Sequence, residues 1–198
     1  MPSAINVKAA FSLIENDKSK VLGLTVGTHQ NVQPGDYIPR AGKHLDRTTR
    51  GARPVKVLAN QPHSDAQSPP ALSFPGASPD KTYLVVGLDI DAPFPSFGVL
   101  GPILHWIQSG VKVTESSGLD LSGPFVANYI GPAPPPGSSP HRYIFFLYEE
   151  PAGFDLKKYA PADGKPLSNW HRMRYDFDSW AKEINLGPLV AFNYFTSN

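Results

Sequence analysis

Apolar and polar residues change period several times along the chain, and each change marks an element. Leu84 to Leu88 (LVVGL) and Ile144 to Tyr148 (IFFLY) are near-continuous apolar runs of strand length, the pattern of strands covered on both faces. Each run borders a polar pair spaced two apart: Asp89 and Asp91 follow the first, His141 and Tyr143 precede the second. Strand side chains alternate faces, so each pair is expected on one face, with Arg142 pointing away from His141 and Tyr143. If the two strands neighbour in one sheet, the pairs build a single pocket at its rim.

Further strands are predicted over Val21–Val26, Val55–Leu58, Ile103–Val111 and Leu189–Phe195, and Phe125–Ile130 leads into a turn rich in Gly and Pro. A short amphipathic helix is predicted over Ile5–Asn16 and another within Trp170–Leu186, above all in its latter half. There Phe177, Trp180, Ala181 and Ile184 recur at three and four, Asp176 or Asp178 can cap the start, and Gly187-Pro188 supplies a stop. Asn60–Lys81, Ser116–Gly123 and Pro151–Ser168 keep neither period and read as surface loops. No repeat is found. Many strands and few helices argue for a mainly β chain built on antiparallel sheet.

Composition narrows the function classes. The 198 residues, 40% hydrophobic, fit one domain over 1–198 with a sizeable core, its first 20 residues a peripheral segment. The 22 Pro and 17 Gly follow no period and predict long ordered loops. With 18 Lys plus Arg against 17 Asp plus Glu, the chain has no general field for nucleic acid or an anionic membrane, so any anion affinity must be local. Arg47, Arg50 and Arg53 lie close together and read as a solvated loop. The absence of Cys removes disulfides, a thiolate nucleophile and thiolate metal sites. No run approaches the roughly 20 apolar residues of a membrane span, and the N-terminus lacks the apolar run of a secretory signal. A soluble cytoplasmic or otherwise intracellular protein, without nucleic-acid or integral membrane contact, is therefore expected. G-x-S-x-G, P-loop, dinucleotide and H-E-x-x-H motifs are all absent, which removes support for serine-nucleophile, phosphate-loop and zinc-protease chemistry.

Four separated blocks carry a resemblance: Asp89-Ile90-Asp91-Ala92-Pro93, Leu104-His105-Trp106, Tyr129-Ile130-Gly131-Pro132 and Pro134-Pro135-Pro136-Gly137 running into His141-Arg142-Tyr143. In order and spacing they resemble the phosphatidylethanolamine-binding protein family, from about Val21 to the C-terminus. Ile90 departs from the Pro usual between the two aspartates, which affects loop shape and leaves both carboxylates in place. The resemblance implies a large central antiparallel-rich sheet flanked by a smaller one, short helices at one end, and a cis bond at Ala92-Pro93. It also implies an anion and headgroup pocket built by Asp89, Asp91, Pro93, His105, Gly131, Pro134, His141 and Tyr143. That site is expected to work without metal or other cofactor. Two carboxylates near two imidazoles are expected to raise both histidine pKa values. His141, Tyr143 and the turn amides would then donate to a bound oxyanion. The aspartate pair has a plainer reading as well, one of the two capping the turn that follows. Phe94, Phe97 and Leu100 are expected to form an apolar lip beside the pair.

Three function classes stay open on the sequence. The leading one is a pocket for a small phosphate- or carboxylate-bearing ligand. A second is a pathway enzyme, the blocks being most similar to fungal members, some of which accompany polyketide routes to maleic anhydride units. There His105 and His141 would serve as acid and base, with Asp89 and Tyr143 assisting. A third is an interaction protein, a serine carboxypeptidase inhibitor or signalling scaffold, meeting a protein partner through its surface loops.

Overall fold

The computed structural model describes residues 4–40 and 66–198. The expected strand over Val55–Leu58 and the cluster Arg47, Arg50 and Arg53 lie outside the described residues. Among the described residues, six strands form one antiparallel sheet: β3 (Tyr83–Asp89), β4 (Ile103–Val113), β5 (Leu119–Asp120), β6 (Phe125–Ala127), β7 (His141–Glu149) and β8 (Leu189–Ser197). Their order is β5-β4-β3-β7-β8, with β6 paired to β4. A smaller sheet joins β1 (Gly23–Thr25) to β2 (Ala71–Ser73). β2 lies inside Asn60–Lys81, a stretch expected to be loop. Three residues are too few to show a period, and their pairing with Leu24 and its neighbours is what makes them a strand.

The apolar runs behave as their pattern requires. All seven residues of β3 are buried, and alternate side chains enter two cores on opposite faces of the large sheet. Leu84, Val86 and Leu88 pack with Ile144, Phe146 and Phe192 on one face, which is closed by α1 (Ala4–Asn16) and α3 (Phe177–Glu183). Tyr83 and Val85 pack with Tyr143, Phe145 and Phe195 on the other, beneath the small sheet and its Leu24 and Leu72. A fully buried Leu or Phe contributes about 1.5–3 kcal/mol, so two apolar layers on one sheet account for why its centre is continuous hydrophobic sequence. The first helix shares this core through Ala10 and Ile14.

The segment Trp170–Leu186 is helical only in its latter part. Asn169–His171 makes one 3-10 turn, and α3 begins after Asp176, which accepts from the Ser179 N–H as an N-cap. The helix ends at Glu183 with Ile184 as its C-cap, and the left-handed Asn185, φ 52°, turns the chain away two residues before Gly187-Pro188. Within Pro151–Ser168 the chain forms α2 (Leu156–Tyr159), a single turn capped by Asp155. No helix among the described residues is long and apolar enough to cross a membrane.

Candidate functional site

β3, β4 and β7 deliver their site residues to one end of the sheet. Asp89 closes β3, His141 opens β7, and Asp89 pairs in register with Tyr143. His105 arrives by another route. Leu88 pairs with Leu104 whereas Gly87 pairs with Trp106, so His105 is an extra residue on β4, a bulge. The bulge lets Leu104 join the helix-covered core while Trp106 joins the opposite one, and His105 turns toward Tyr143 with ring centroids 5.0 Å apart.

These residues border a cavity of about 290 Å³. Its polar side chains are Asp89, His105, His141, Asn169 and Arg172, and Pro93, Leu100, Ile103, Ile130 and Met173 make much of the apolar wall. Gly131 is also in the wall. A Cβ there would stand 2.7 Å from the Gln67 Cα, so the turn can lie this close only as glycine. The Ala92-Pro93 peptide is cis, as is Gly101-Pro102. Phe94 and Phe97 are exposed beside the cavity and Leu100 enters its wall.

His141 is 1% exposed and uses both ring nitrogens within the protein. Nδ1–H donates to Asp89 Oδ2 at 2.8 Å, and Nε2 lies 2.9 Å from Ser138 Oγ and 3.1 Å from the Pro93 carbonyl. Ser138 Oγ donates to the Ser139 carbonyl, so Nε2 faces acceptors and the ring is arranged to carry two protons. Burial opposes that charge, but the hydrogen bond and charge of Asp89, the charge of Asp91 and the Pro93 carbonyl outweigh it and raise the pKa. His105 goes the other way. Burial dominates there, assisted by Arg172 and His141, and lowers its pKa despite Asp89 and the Ile130 carbonyl. Only one of the two imidazoles is therefore raised, not both as expected.

Three expected site residues stand outside the cavity wall. Asp91 is buried but serves Arg142: its carboxylate accepts Nε at 2.8 Å, Nη2 at 2.6 Å and the backbone N–H at 2.8 Å. β3 has ended by then, so strand alternation no longer places Asp91 beside Asp89. Asp89 Oδ1 instead accepts the Asp91 N–H, the capping role foreseen for one of the pair. Pro134 is buried behind the turn. Tyr143 is buried between the two imidazoles, at 5.0 and 6.5 Å. Its hydroxyl makes no well-formed hydrogen bond, although Asp89 and the Ala133 amide are near enough to act on it, and burial first, then Asp89, pushes its pKa up.

Arg172 is the residue that sequence reasoning missed. It is fully buried, and its guanidinium donates to the carbonyls of Leu167, Leu104, His105 and Asn128 and to Asn128 Oδ1, at 2.6 to 3.4 Å. Burial pulls its pKa down to about 10. No carboxylate pairs with it among the described residues. An Arg within Trp170-His171-Arg172-Met173, read as the start of a helix, gives no local sign of burial. Charges then sum simply: Asp89 cancels His141, Asp91 cancels Arg142, and Arg172 leaves the wall positive. Among the described residues no three His, Asp or Glu side chains gather as metal ligands would.

A family model described as phosphatidylethanolamine-binding protein matches residues 28–195. The chain belongs to this family. It is 33% identical to the carboxypeptidase Y inhibitor of Saccharomyces cerevisiae over 59% of this chain and 59% of that protein's length. It is 29% identical to the phomoidride biosynthesis cluster protein N of Talaromyces stipitatus, over 84% of this chain and 89% of that one. Among solved structures, carboxypeptidase Y inhibitor complexed with its cognate proteinase superposes with a TM-score of 0.65 at 24% identity, covering 95% of this chain and 91% of the inhibitor. The phosphatidylethanolamine-binding protein of Plasmodium vivax gives 0.60 at 15% identity, with 96% and 97% covered. Both show the family's fold, a large antiparallel sheet flanked by a small one.

Proposed function

We propose that this family member binds a small phosphate- or carboxylate-bearing molecule in the cavity between β3, β4 and β7. The observation that carries the reading is Arg172, a buried cation without a carboxylate, set in the wall beside an imidazolium. Its N–H groups are held by oxygen atoms of the protein, so it acts through its field in a medium of low dielectric. Direct contacts fall to Asn169 and the Gly131 amide at the rim. His141 supplies charge, with both its nitrogens engaged. Tyr143 supports the two rings from behind.

The test is calorimetric titration with inorganic phosphate and succinate, with glycerol as a neutral control. Ala133 is exposed and lines the cavity, so Ala133→Trp should plug it without touching the buried network. Saturable 1:1 binding of an anion is expected, weakened at least tenfold by Ala133→Trp with little change in melting temperature. Equal affinity in the plugged variant, or no saturable binding of either anion, would sink the proposal.

A second reading, acid–base catalysis, is favoured by two histidines in one wall whose pKa values are pushed in opposite directions, as a paired acid and base require. The likeness to a biosynthesis cluster protein supports the same reading. Exchange of α-protons of succinate with deuterated solvent, monitored by NMR, tests it: exchange that is catalysed by wild type and lost in His105→Gln is expected of an enzyme, and solvent-rate exchange argues for binding alone.

A further inference from the structure

Asn128 and Tyr129 line a second cavity, of about 550 Å³, whereas Ile130 and Gly131 line the first, and the two share no wall residue. β4 contributes Trp106 and Gln108, two apart on one face of the strand. Both are buried, Trp106 at 2% exposed and Gln108 at 4%. Gln108 Nε2 donates to the carbonyls of Gly123 at 2.7 Å and Pro124 at 2.9 Å, which ties the chain before β6 to β4. Because carbonyls only accept, these contacts fix which end of the amide is nitrogen and turn Oε1 the other way. Among the described residues Oε1 has no donor, and the Trp106 Nε1–H has no acceptor. The sealed-in polar atoms without a partner are the Tyr143 hydroxyl and Ser197 Oγ, so these two atoms reach open space, and the space beside them is the cavity. The rest of the wall is largely aromatic. Tyr129 meets the Trp106 indole in a T-shape, centroids 5.7 Å apart, and Phe125 and Leu121 are half-buried in the same wall. No charged side chain lines it among the described residues.

We propose that this cavity is a second binding site, for a neutral aromatic molecule that carries an amide. An ion would give up its hydration here and meet no counter-charge. A flat ring packs against Trp106, Phe125 and Tyr129, whose aromatic pairs favour edge and offset contacts. The amide carbonyl accepts the Trp106 Nε1–H, and the amide N–H donates to Gln108 Oε1. An ester or ketone satisfies only the indole and leaves Oε1 without a donor, the more costly outcome for a buried acceptor. A hydroxyl carries donor and acceptor on one oxygen, whereas the two protein groups come from side chains two positions apart and suit a group that separates them.

Benzamide, methyl benzoate and benzoate are the probes, each added to isotope-labelled protein while the Trp106 indole N–H resonance is followed by NMR. Benzamide should move that resonance saturably and leave the Trp180 indole in place. Methyl benzoate, which lacks the donor, and benzoate, which adds a charge, should each bind at least about tenfold more weakly. Ser122 is exposed and lines the cavity, so Ser122→Phe should fill it and weaken benzamide binding to the same degree. Ala133→Trp, in the first cavity, should leave benzamide binding unchanged. A Trp106 resonance that benzamide does not move, methyl benzoate binding as tightly as benzamide, or equal benzamide affinity in Ser122→Phe each overturns the proposal. Loss of benzamide binding in Ala133→Trp would assign the molecule to the first cavity and overturns it as well. The anion titrations use other probes and another cavity, so their failure leaves this site standing. If Ser122→Phe does not fold, the ranking of the three probes on wild type decides alone.

Discussion

On the cavity side of β7, Asp89 holds an imidazole that is 1% exposed, and on the opposite side Asp91 holds a guanidinium whose side chain is 45% exposed. Both carboxylates are buried and both pairs are close, so the carboxylates alone do not distinguish the regions. The partners do. Arg142 keeps its proton at every accessible pH and reaches water, so its pair fixes the strand end. His141 can lose its proton, and it is sealed in, so its pair ties the cavity's charge to pH. Proximity of like residues in sequence thus separates into a fixed clamp and a titratable one.

The largest test of this contrast is a pair of neutral substitutions. Asp89→Asn leaves the imidazolium buried without a counter-charge and removes its strongest acceptor, a loss of about 3 kcal/mol or more. Asp91→Asn leaves Arg142 free to turn into solvent, and the cost should be about 1 kcal/mol. Urea unfolding of both variants measures the order, and an equal or reversed order would erase the distinction.

A smaller effect is expected with pH. The folded pKa of His141 is raised, so its contribution to stability is complete below the unfolded value of about 6.5 and is lost as pH rises through the folded value. His105 has a lowered pKa and acts oppositely, subtracting stability as pH falls through 6.5 toward its folded value. In His105→Gln the remaining slope belongs to His141, and unfolding free energy should fall as pH is raised from about 6.5. Adding Asp89→Asn should flatten that slope. A slope that persists in the double variant would assign it elsewhere.

The smallest expected effect lies at the surface near the cavity. Trp170 is 82% exposed, next to Asn169 of the cavity wall, and Trp170→Ser should change stability by less than about 0.5 kcal/mol. A melting temperature lowered by several degrees would show that this surface is part of the fold's support.

Much of the fold was legible because burial on both faces writes itself into sequence. The runs Leu84–Leu88 and Ile144–Tyr148 have no polar position to spare, and β3 and β7 are central strands as a result. Alternation likewise separated His141 and Tyr143 from Arg142, since the period of two holds while the strand lasts. Past Asp89 the strand stops, and the same rule failed for Asp91. β2 was missed because strand identity in three residues comes from partners 46 to 50 positions away, Ala71 pairing with Thr25 and Ser73 with Gly23, rather than from local pattern.

By itself, the sequence determined the two-sided sheet, the capped terminal helix, and the family blocks that bring Asp89, His105 and His141 together. The opposite pKa shifts of His105 and His141 were decided only in three dimensions, because burial and charge are summed over groups from β3, β4, β7 and the segment before α3. The bulge at His105 and the burial of Arg172 belong to the same category: each depends on what distant chain lies opposite, which neither the period nor the composition of a local stretch encodes.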